Sequence, residues 1–522
     1  MTALAEQPAG IQHPLFTPPT VVDFQINDAI QAYLQRGMAV IWDTGIGKSA
    51  LSMATACLAL TDGAIDNVIV ICEQNKLKEW PEDFATFTRI SSVGVYHGPK
   101  RARLLSDLPT VLVSSYETFR NDAVKFITRT KYDDGPLIEV YKGRRLLIVY
   151  DEIAKLGNRS SKLYKAHYRT MTRVRKLHPG VIVLGLTATP HEASGHENFF
   201  NQMRLIAPAA MPTVKDFEDR VVRSRDPWGR PKYDPGGVAW FQGLCAPYIS
   251  RRRKTDLEVR EHFPPFVEQF ATAQMHADQL KIYQKLEDLA WDDEGNCRDV
   301  AGLAVLLRQL AGDPMALKFA AEHGSSDLAK MVWETLGGQL ADCSSAKYEL
   351  LQERYINPVM ASGEKMIIFT FFSNTVLRAL DDRIQTEAPV FLYRGEMSAA
   401  AKDRELDRFR RTHGPAILLA SDSAAKGINA PEASYTVEYE PALKHSTRTQ
   451  RAGRGHRAFS DVPLTFVTIV LERSVEESRA IPKLLKRNQD QDDFFGDTDA
   501  GEFTTAEDRR RMFAMARHRR GA

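Results

Sequence analysis

The chain has 522 residues, enough for two to four domains with more than one core. Hydrophobic residues make up 43% and charged residues 26%, which is globular composition and excludes a fibrous or wholly disordered chain. A net charge of +2 excludes a globally basic nucleic-acid binder, so any polyanion would have to meet a local patch.

Residues 1–20 hold several prolines and little periodicity, and read as a loose N-terminal tail. No basic segment followed by an apolar core is visible there, and no apolar run nears the roughly 20 residues of a spanning helix, so no membrane partner is expected. The five cysteines, Cys57, Cys72, Cys245, Cys297 and Cys343, are scattered and odd in number. That argues against a disulfide framework and for a reducing cytoplasm.

From Ile26 the apolar residues Ile26, Ala29, Ile30, Tyr33 and Leu34 recur at helical spacing, and Gly37 ends the pattern. Short apolar runs then alternate with helical patterns. Strands are predicted at 38–41, 67–72, 93–96, 110–114, 146–150 and 181–185. This rhythm predicts an α/β unit over 21–208, with a parallel sheet covered on both faces. Between about 195 and 340 the rhythm breaks into helical patterns and loops, so 209–343 reads as a helical insertion and linker. It resumes over 344–488, with strands at 365–370, 390–393, 416–420, 434–438 and 464–470. Residues 489–522 read as a charged tail, acidic at Asp490, Asp492, Asp493, Asp497 and Asp499, then arginine-rich from Arg509.

Three constellations carry chemistry. Gly45-Ile46-Gly47-Lys48-Ser49 follows the first strand and opens a helix. Glycines let backbone N–H groups close on phosphates, Lys48 places a cation on the β- and γ-phosphates, and Ser49 can bind Mg²⁺. Trp42 stands where the longer form of this loop has glycine or alanine. Asp151 and Glu152 end a second apolar strand. Asp151 would hold Mg²⁺ and Glu152 would deprotonate the attacking water. Gln450-Arg451-Ala452-Gly453-Arg454-Gly455-His456-Arg457 lies in the later α/β unit, which lacks a phosphate loop of its own. Arg454 and Arg457, three apart, are expected on one helical face, where they could reach a γ-phosphate bound by the first unit. His191, His196 and Glu197 have no third ligand at metal spacing and read as ordinary helix and loop positions.

In chain order, these segments resemble the superfamily-two helicases, nearest the Swi/Snf-like branch of double-stranded DNA translocases. Phe24-Gln25 resembles the Q motif, and Asp43-Thr44-Gly45-Ile46-Gly47-Lys48-Ser49 motif I. Glu73 to Trp80 resembles motif Ia, Ser114 to Thr118 motif Ib, and Asp151 to Asn158 the Asp-Glu-Ala-His box. Leu186 to Pro190 resembles motif III. Arg251 to Asp256, Leu307 to Leu310 and Ser344 to Lys347 are similar to segments of the Swi/Snf branch. Gly395 to Ser398 leads to Arg404; Gly427 to Asn429 and Gln450 to Arg457 resemble motifs V and VI.

The resemblance implies two RecA-like parallel-sheet lobes with ATP between them, Mg²⁺ as the metal, and Gln25 on the adenine edge. The nucleotide-binding set is then Gln25, Thr44, Gly45, Ile46, Gly47, Lys48 and Ser49. The resemblance also implies non-sequence-specific phosphate contacts to double-stranded DNA from Ser115, Thr118, Gly395, Ser398 and Asn429. Replication or recombination proteins are expected partners. The compact length looks like a bacterial or bacteriophage member. Three departures from the pattern stand out: Ala154 for the fourth residue of the box, Lys426 ahead of Gly427, and Ala458-Phe459-Ser460 after Arg457. The expected activity is ATP-driven movement along DNA. A nucleotide-gated binding subunit with little hydrolysis and an RNA-dependent helicase remain as alternatives.

Overall fold

The computed structural model describes residues 22–126, 132–191, 195–227, 229, 231–289, 300–324, 326–422, 428–443, 445–458, 460–481 and 494–495. Two compact units divide the chain, Met1–Val259 and Arg260–Ala522. The 1–20 tail, the acidic and arginine-rich end, and Lys426 and Gly427 lie outside the described residues.

In the first unit, β1 (Gly37–Trp42), β2 (Asn67–Cys72), β3 (Val93–Tyr96), β4 (Val111–Ser115), β7 (Leu146–Asp151), β8 (Ile182–Thr187) and β11 (Ile249–Arg252) form one sheet. Its order is β11-β1-β8-β7-β2-β4-β3, and its pairings are parallel. Every residue of β1, β2, β4, β7 and β8 is buried. This is why these segments read as unbroken apolar runs rather than alternating ones: helices cover both faces. Two small antiparallel ribbons stand apart, β5 (Val124–Phe126) with β6 (Tyr132–Asp134), and β9 (Val222–Arg225) with β10 (Pro231–Tyr233). Ile41 of β1 lies beside Thr187 of β8, and Leu186 of β8 beside Asp151 of β7. The loops after all three strands therefore open at the carboxyl edge of the sheet, where such sheets bind ligands.

The second unit repeats the plan. β12 (Phe266–Ala273), β13 (Lys365–Thr370), β14 (Val390–Tyr393), β15 (Ala416–Ser421), β16 (Tyr435–Glu438) and β17 (Leu464–Leu471) form a parallel sheet in the order β12-β17-β16-β13-β15-β14. Helices Ala277–Leu289, Val300–Gly312, Ala316–His323 and Asp327–Ala341 precede its second strand. They bury a cluster that includes Leu286, Leu310, Val332 and Leu340. Lys347 and Glu476 form an ion pair at 2.7 Å with no exposure of either side chain. Among the described residues, no helix is long and apolar enough to cross a membrane.

The stretch from about 195 to 340 differs from its sequence reading, which places only helices and loops there. It contains β9, β10, β11 and β12. β11 completes the first sheet beside β1, and β12 borders the second beside β17. Both are edge strands with mixed sequences, Ile-Ser-Arg-Arg and Phe-Val-Glu-Gln-Phe-Ala-Thr-Ala. Their places come from pairing with a neighbour distant in sequence, not from local pattern.

Candidate functional site

The loop after β1 holds its shape through two left-handed glycines, Gly45 at φ 87° and Gly47 at φ 99°. At Gly47 there is also no room for a side chain: an added Cβ would fall 2.4 Å from Nε2 of Gln25. That amide donates to the Ile46 carbonyl at 2.7 Å, while the Val22 N–H donates to Gln25 Oε1 at 3.2 Å. Gln25 is thus buried and clamps the phosphate loop from behind.

Lys48 begins the following helix, Lys48–Thr61. Its ammonium donates to the carbonyls of Trp42 at 2.8 Å and Asp43 at 3.2 Å. Burial pulls its pKa down to about 8; Glu152 pushes the other way and Lys76 adds to the fall. The cation's hydrogen bonds go to backbone carbonyls at the end of β1, an arrangement that a phosphate oxygen could replace. Ser49 and Thr44 are half-buried at the same edge.

The carboxylates arrive from β7. Asp151 is 3% exposed, and its Oδ2 accepts from Trp80 Nε1 at 3.1 Å. Lys76 Nζ lies 3.1 Å from the same oxygen. Glu152 follows in the left-handed region at φ 59°. Burial raises its pKa, against the pull of Lys48 and Lys76. Thr187, at the end of β8, donates to Glu152 Oε2 at 3.4 Å and accepts from the Thr189 N–H at 3.1 Å. The motif III threonine thus stands between the phosphate loop and the acidic pair, as the strand order requires.

Other supports were not legible in the sequence. Trp42, the departure in the phosphate-loop pattern, donates its indole N–H to Ser250 Oγ at 2.7 Å, and Ser250 donates to Asp28 at 2.6 Å. Arg252 also binds Asp28, at 2.7 Å. Asp43 accepts from the Lys254 N–H at 3.0 Å, with Arg251 at 3.5 Å. The basic segment 251–254 therefore ties β11 to the base of the phosphate loop. Tyr116 donates its phenol proton to the Asp151 carbonyl at 2.8 Å. Lys76 and Tyr116 were visible only as members of longer motifs.

In the second unit, the helix His445–Ala452 ends before Arg454 and Arg457. Those two residues do not share a helical face, as their spacing had suggested. Gly453 and Gly455 interrupt the pattern, and both arginines sit half-buried in the turn beyond. Arg454 Nη1 donates to the Ile428 carbonyl at 3.2 Å. His456 approaches the Pro264 carbonyl at 3.0 Å and packs on Phe266, which fixes the turn to the start of β12. Arg451 is buried and binds Asp422 at 2.7 Å and Glu438 at 2.8 Å. Arg448 binds the same glutamate at 2.8 Å. The helix is anchored by these charges, leaving the turn as the part of the motif nearer solvent.

The expected nucleic-acid residues differ in availability. The Ser115 hydroxyl is buried and caps the helix Tyr116–Ala123, accepting from the Thr118 N–H at 3.2 Å and donating to Thr118 Oγ1 at 2.9 Å. Thr118 is half-buried. The Gly395 N–H donates to Ser421 at 3.1 Å. Ser398 caps the helix Ala399–Arg411 and is exposed, as is Asn429. His191 and His196 pack ring against ring at 5.2 Å, and burial lowers both pKa values. Among the described residues, no group of three or more His, Cys, Asp or Glu could hold a metal ion by itself.

The donors at the loop are hard oxygens, the Ser49 hydroxyl and the Asp151 carboxylate, which suit Mg²⁺ rather than a softer metal. A cation already rests at Asp151, in the form of the Lys76 ammonium. The residues present therefore fit a magnesium nucleotide.

The chain is 23% identical over 450 residues to a putative ATP-dependent helicase/translocase, YwqA, of Bacillus subtilis, covering 84% of this chain and 45% of that protein. It is 22% identical over 449 residues to an uncharacterized ATP-dependent helicase of Mycoplasma pneumoniae, covering 83% and 38%. The chain thus spans less than half the length of these relatives. The Pyrococcus furiosus Hef helicase domain shares its fold at a TM-score of 0.52 and 15% identity, over 87% of this chain and 96% of that one. A model of the helicase conserved C-terminal domain matches residues 346–459, and the SNF2-related domain model matches residues 30–316, more than half of the 522. The chain belongs to the SNF2-related family.

Proposed function

We propose that this chain is an ATP-dependent DNA translocase that hydrolyses ATP to move along duplex DNA, remodelling it or whatever is bound to it. The observation that carries this reading is the convergence of Lys48, Asp151, Glu152 and Thr187 at the carboxyl ends of three neighbouring strands, β1, β7 and β8. Lys48 gives up its carbonyl contacts for the β- and γ-phosphates. Ser49 and Asp151 would hold Mg²⁺, which would neutralise phosphate charge. Glu152 takes a proton from water as the water oxygen attacks the γ-phosphorus; the bond to the β-phosphate oxygen breaks, giving ADP and phosphate. Raised by burial, Glu152 is a stronger base than an exposed glutamate.

The family resemblance implies that Arg454 and Arg457 would supply positive charge to the developing transition state, a role in which one arginine is worth about 10³-fold or more. With Gln25 engaged on Ile46, adenine recognition would require that clamp to open or would use other groups. Ser398 and Asn429, being exposed, are the strongest candidates for phosphate contact, and Thr118 follows. Such contacts position the duplex without reading sequence, so binding should weaken steeply with salt. Duplex tracking, rather than strand separation, is the mode the family membership favours. A triplex-displacement assay beside a strand-displacement assay tests this: displacement of the third strand without unwinding is expected, and unwinding alone would reverse the assignment.

A further inference from the structure

Lys76 has no part in the reaction described above. It ends the short 3₁₀ turn Gln74–Lys76 that follows β2, and its side chain is 19% exposed. Its ammonium lies 3.1 Å from Oδ2 of Asp151, whose side chain is 4% exposed. The Trp80 indole fixes that oxygen from another side at 3.1 Å. A carboxylate this deeply buried needs a cation or strong donors. In the nucleotide-free chain, Lys76 is that cation.

We propose that Lys76 is a built-in counter-cation for Asp151 that competes with the divalent metal, so that the metal–nucleotide complex loads only as the Lys76 ammonium leaves Oδ2. This rests on the reading of Asp151 as a metal-holding carboxylate. Two cations crowded on one carboxylate repel each other, and the repulsion is strongest where water is excluded. Lys76 can yield because its end is the more exposed partner and its four-carbon stem is flexible. Lys48 makes its hydrogen bonds to the Trp42 and Asp43 carbonyls instead, so the ammonium paired with Oδ2 is that of Lys76. The consequence is selectivity for the metal-bearing nucleotide: nucleotide without a metal leaves Lys76 in place, and the full complex displaces it.

The test is equilibrium binding of a fluorescent ATP analogue to the full chain while Mg²⁺ is titrated. For Lys76→Met the Mg²⁺ concentration at half-saturation is expected to fall by roughly tenfold, as an internal competitor is removed. Lys76→Gln keeps a donor to Asp151 but lacks the charge, so its midpoint should fall as well. Lys76→Arg should stay near the wild-type value. Thermal melting of each variant shows whether it is folded, and either neutral variant suffices. An unchanged or raised midpoint in a folded neutral variant overturns the proposal. A wild-type chain that binds no analogue at any Mg²⁺ concentration overturns instead the nucleotide-site reading on which it rests.

Discussion

The phenol of Tyr116 donates a 2.8 Å hydrogen bond to the carbonyl of Asp151. The acceptor belongs to the peptide that leads into Glu152, whose backbone is left-handed at φ 59°. Tyr116 also directly follows Ser115, which caps the helix bearing Thr118. One hydroxyl therefore joins the start of an expected DNA-contacting helix to the peptide that leads into the proposed general base. Lys155, in the turn that follows Glu152, also pairs with Glu117 at 3.2 Å, a second tie between the two segments.

Tyr116→Phe removes that hydroxyl and leaves a buried carbonyl without its donor, a cost of about 1–3 kcal/mol. Its effect on turnover should exceed its effect on substrate affinity. We expect kcat for ATP to fall roughly tenfold with KM nearly unchanged, in a chain that still melts cooperatively. A parallel fall in kcat and rise in KM would show general loosening of the site instead.

Glu152→Gln keeps the size and polarity of the side chain but cannot accept a proton from water. ATP hydrolysis should drop by about 10²-fold or more, while binding of an ATP analogue persists. In the wild type, burial raises the pKa of Glu152, so the acid limb of the rate profile should lie above the ordinary glutamate value. As pH falls through that raised value the base becomes protonated and the rate declines. An acid limb at or below the ordinary value would remove Glu152 from the rate-limiting proton transfer.

Lys48 supplies the opposite limb. Its pKa, lowered to about 8 by burial, means that the ammonium is present below that pH and lost above it. Bound triphosphate favours the charged form, so nucleotide binding at pH 9 should draw about one proton from solution. Calorimetry in buffers of different ionisation enthalpy measures that uptake. Affinity should also weaken between pH 7 and pH 9. Identical binding enthalpies across buffers at pH 9 would contradict this role.

Lys347 tests the frame rather than the chemistry. It is paired with Glu476 at 2.7 Å, and Leu471 N–H donates to the same carboxylate at 3.0 Å. Removing one partner of a fully buried pair leaves the other charge uncompensated, so Lys347→Ala should cost about 3–5 kcal/mol in urea unfolding of the second unit. Lys347→Met with Glu476→Gln should recover most of that loss, because it removes the charge while keeping an acceptor for Leu471. No recovery would mean that the pair acts through packing alone.

Much of this architecture is legible in the sequence because central parallel strands are apolar on both faces. The runs around 38–41, 67–72, 146–150 and 365–370 announce themselves, and the structure extends them by at most one residue at either end. Edge strands lack that signature. β11 ends in Arg251 and Arg252 and passes for a basic linker until Asp28 and Asp43 are seen to receive those charges. Helical spacing failed at Arg454 and Arg457 because glycines on either side of Arg454 end the helix early. The residue types at the phosphate loop and the acidic pair were readable, since phosphate and metal chemistry restrict them tightly. Lys76 was not, because its partner Asp151 is distant in sequence and only the β2–β7 pairing brings them together.

The central claim is that a triphosphate gripped by Lys48, Asp151 and Glu152 is consumed with help from Arg454 and Arg457 when DNA is engaged. Steady-state ATPase rate with and without duplex DNA tests it most directly, in the wild type and in Arg454→Ala. The account predicts at least a roughly tenfold rise on adding duplex, and its loss in the variant, with analogue binding retained. A chain that consumes no ATP with duplex, single strands or RNA, or an Arg454→Ala variant that matches the wild type, would contradict it.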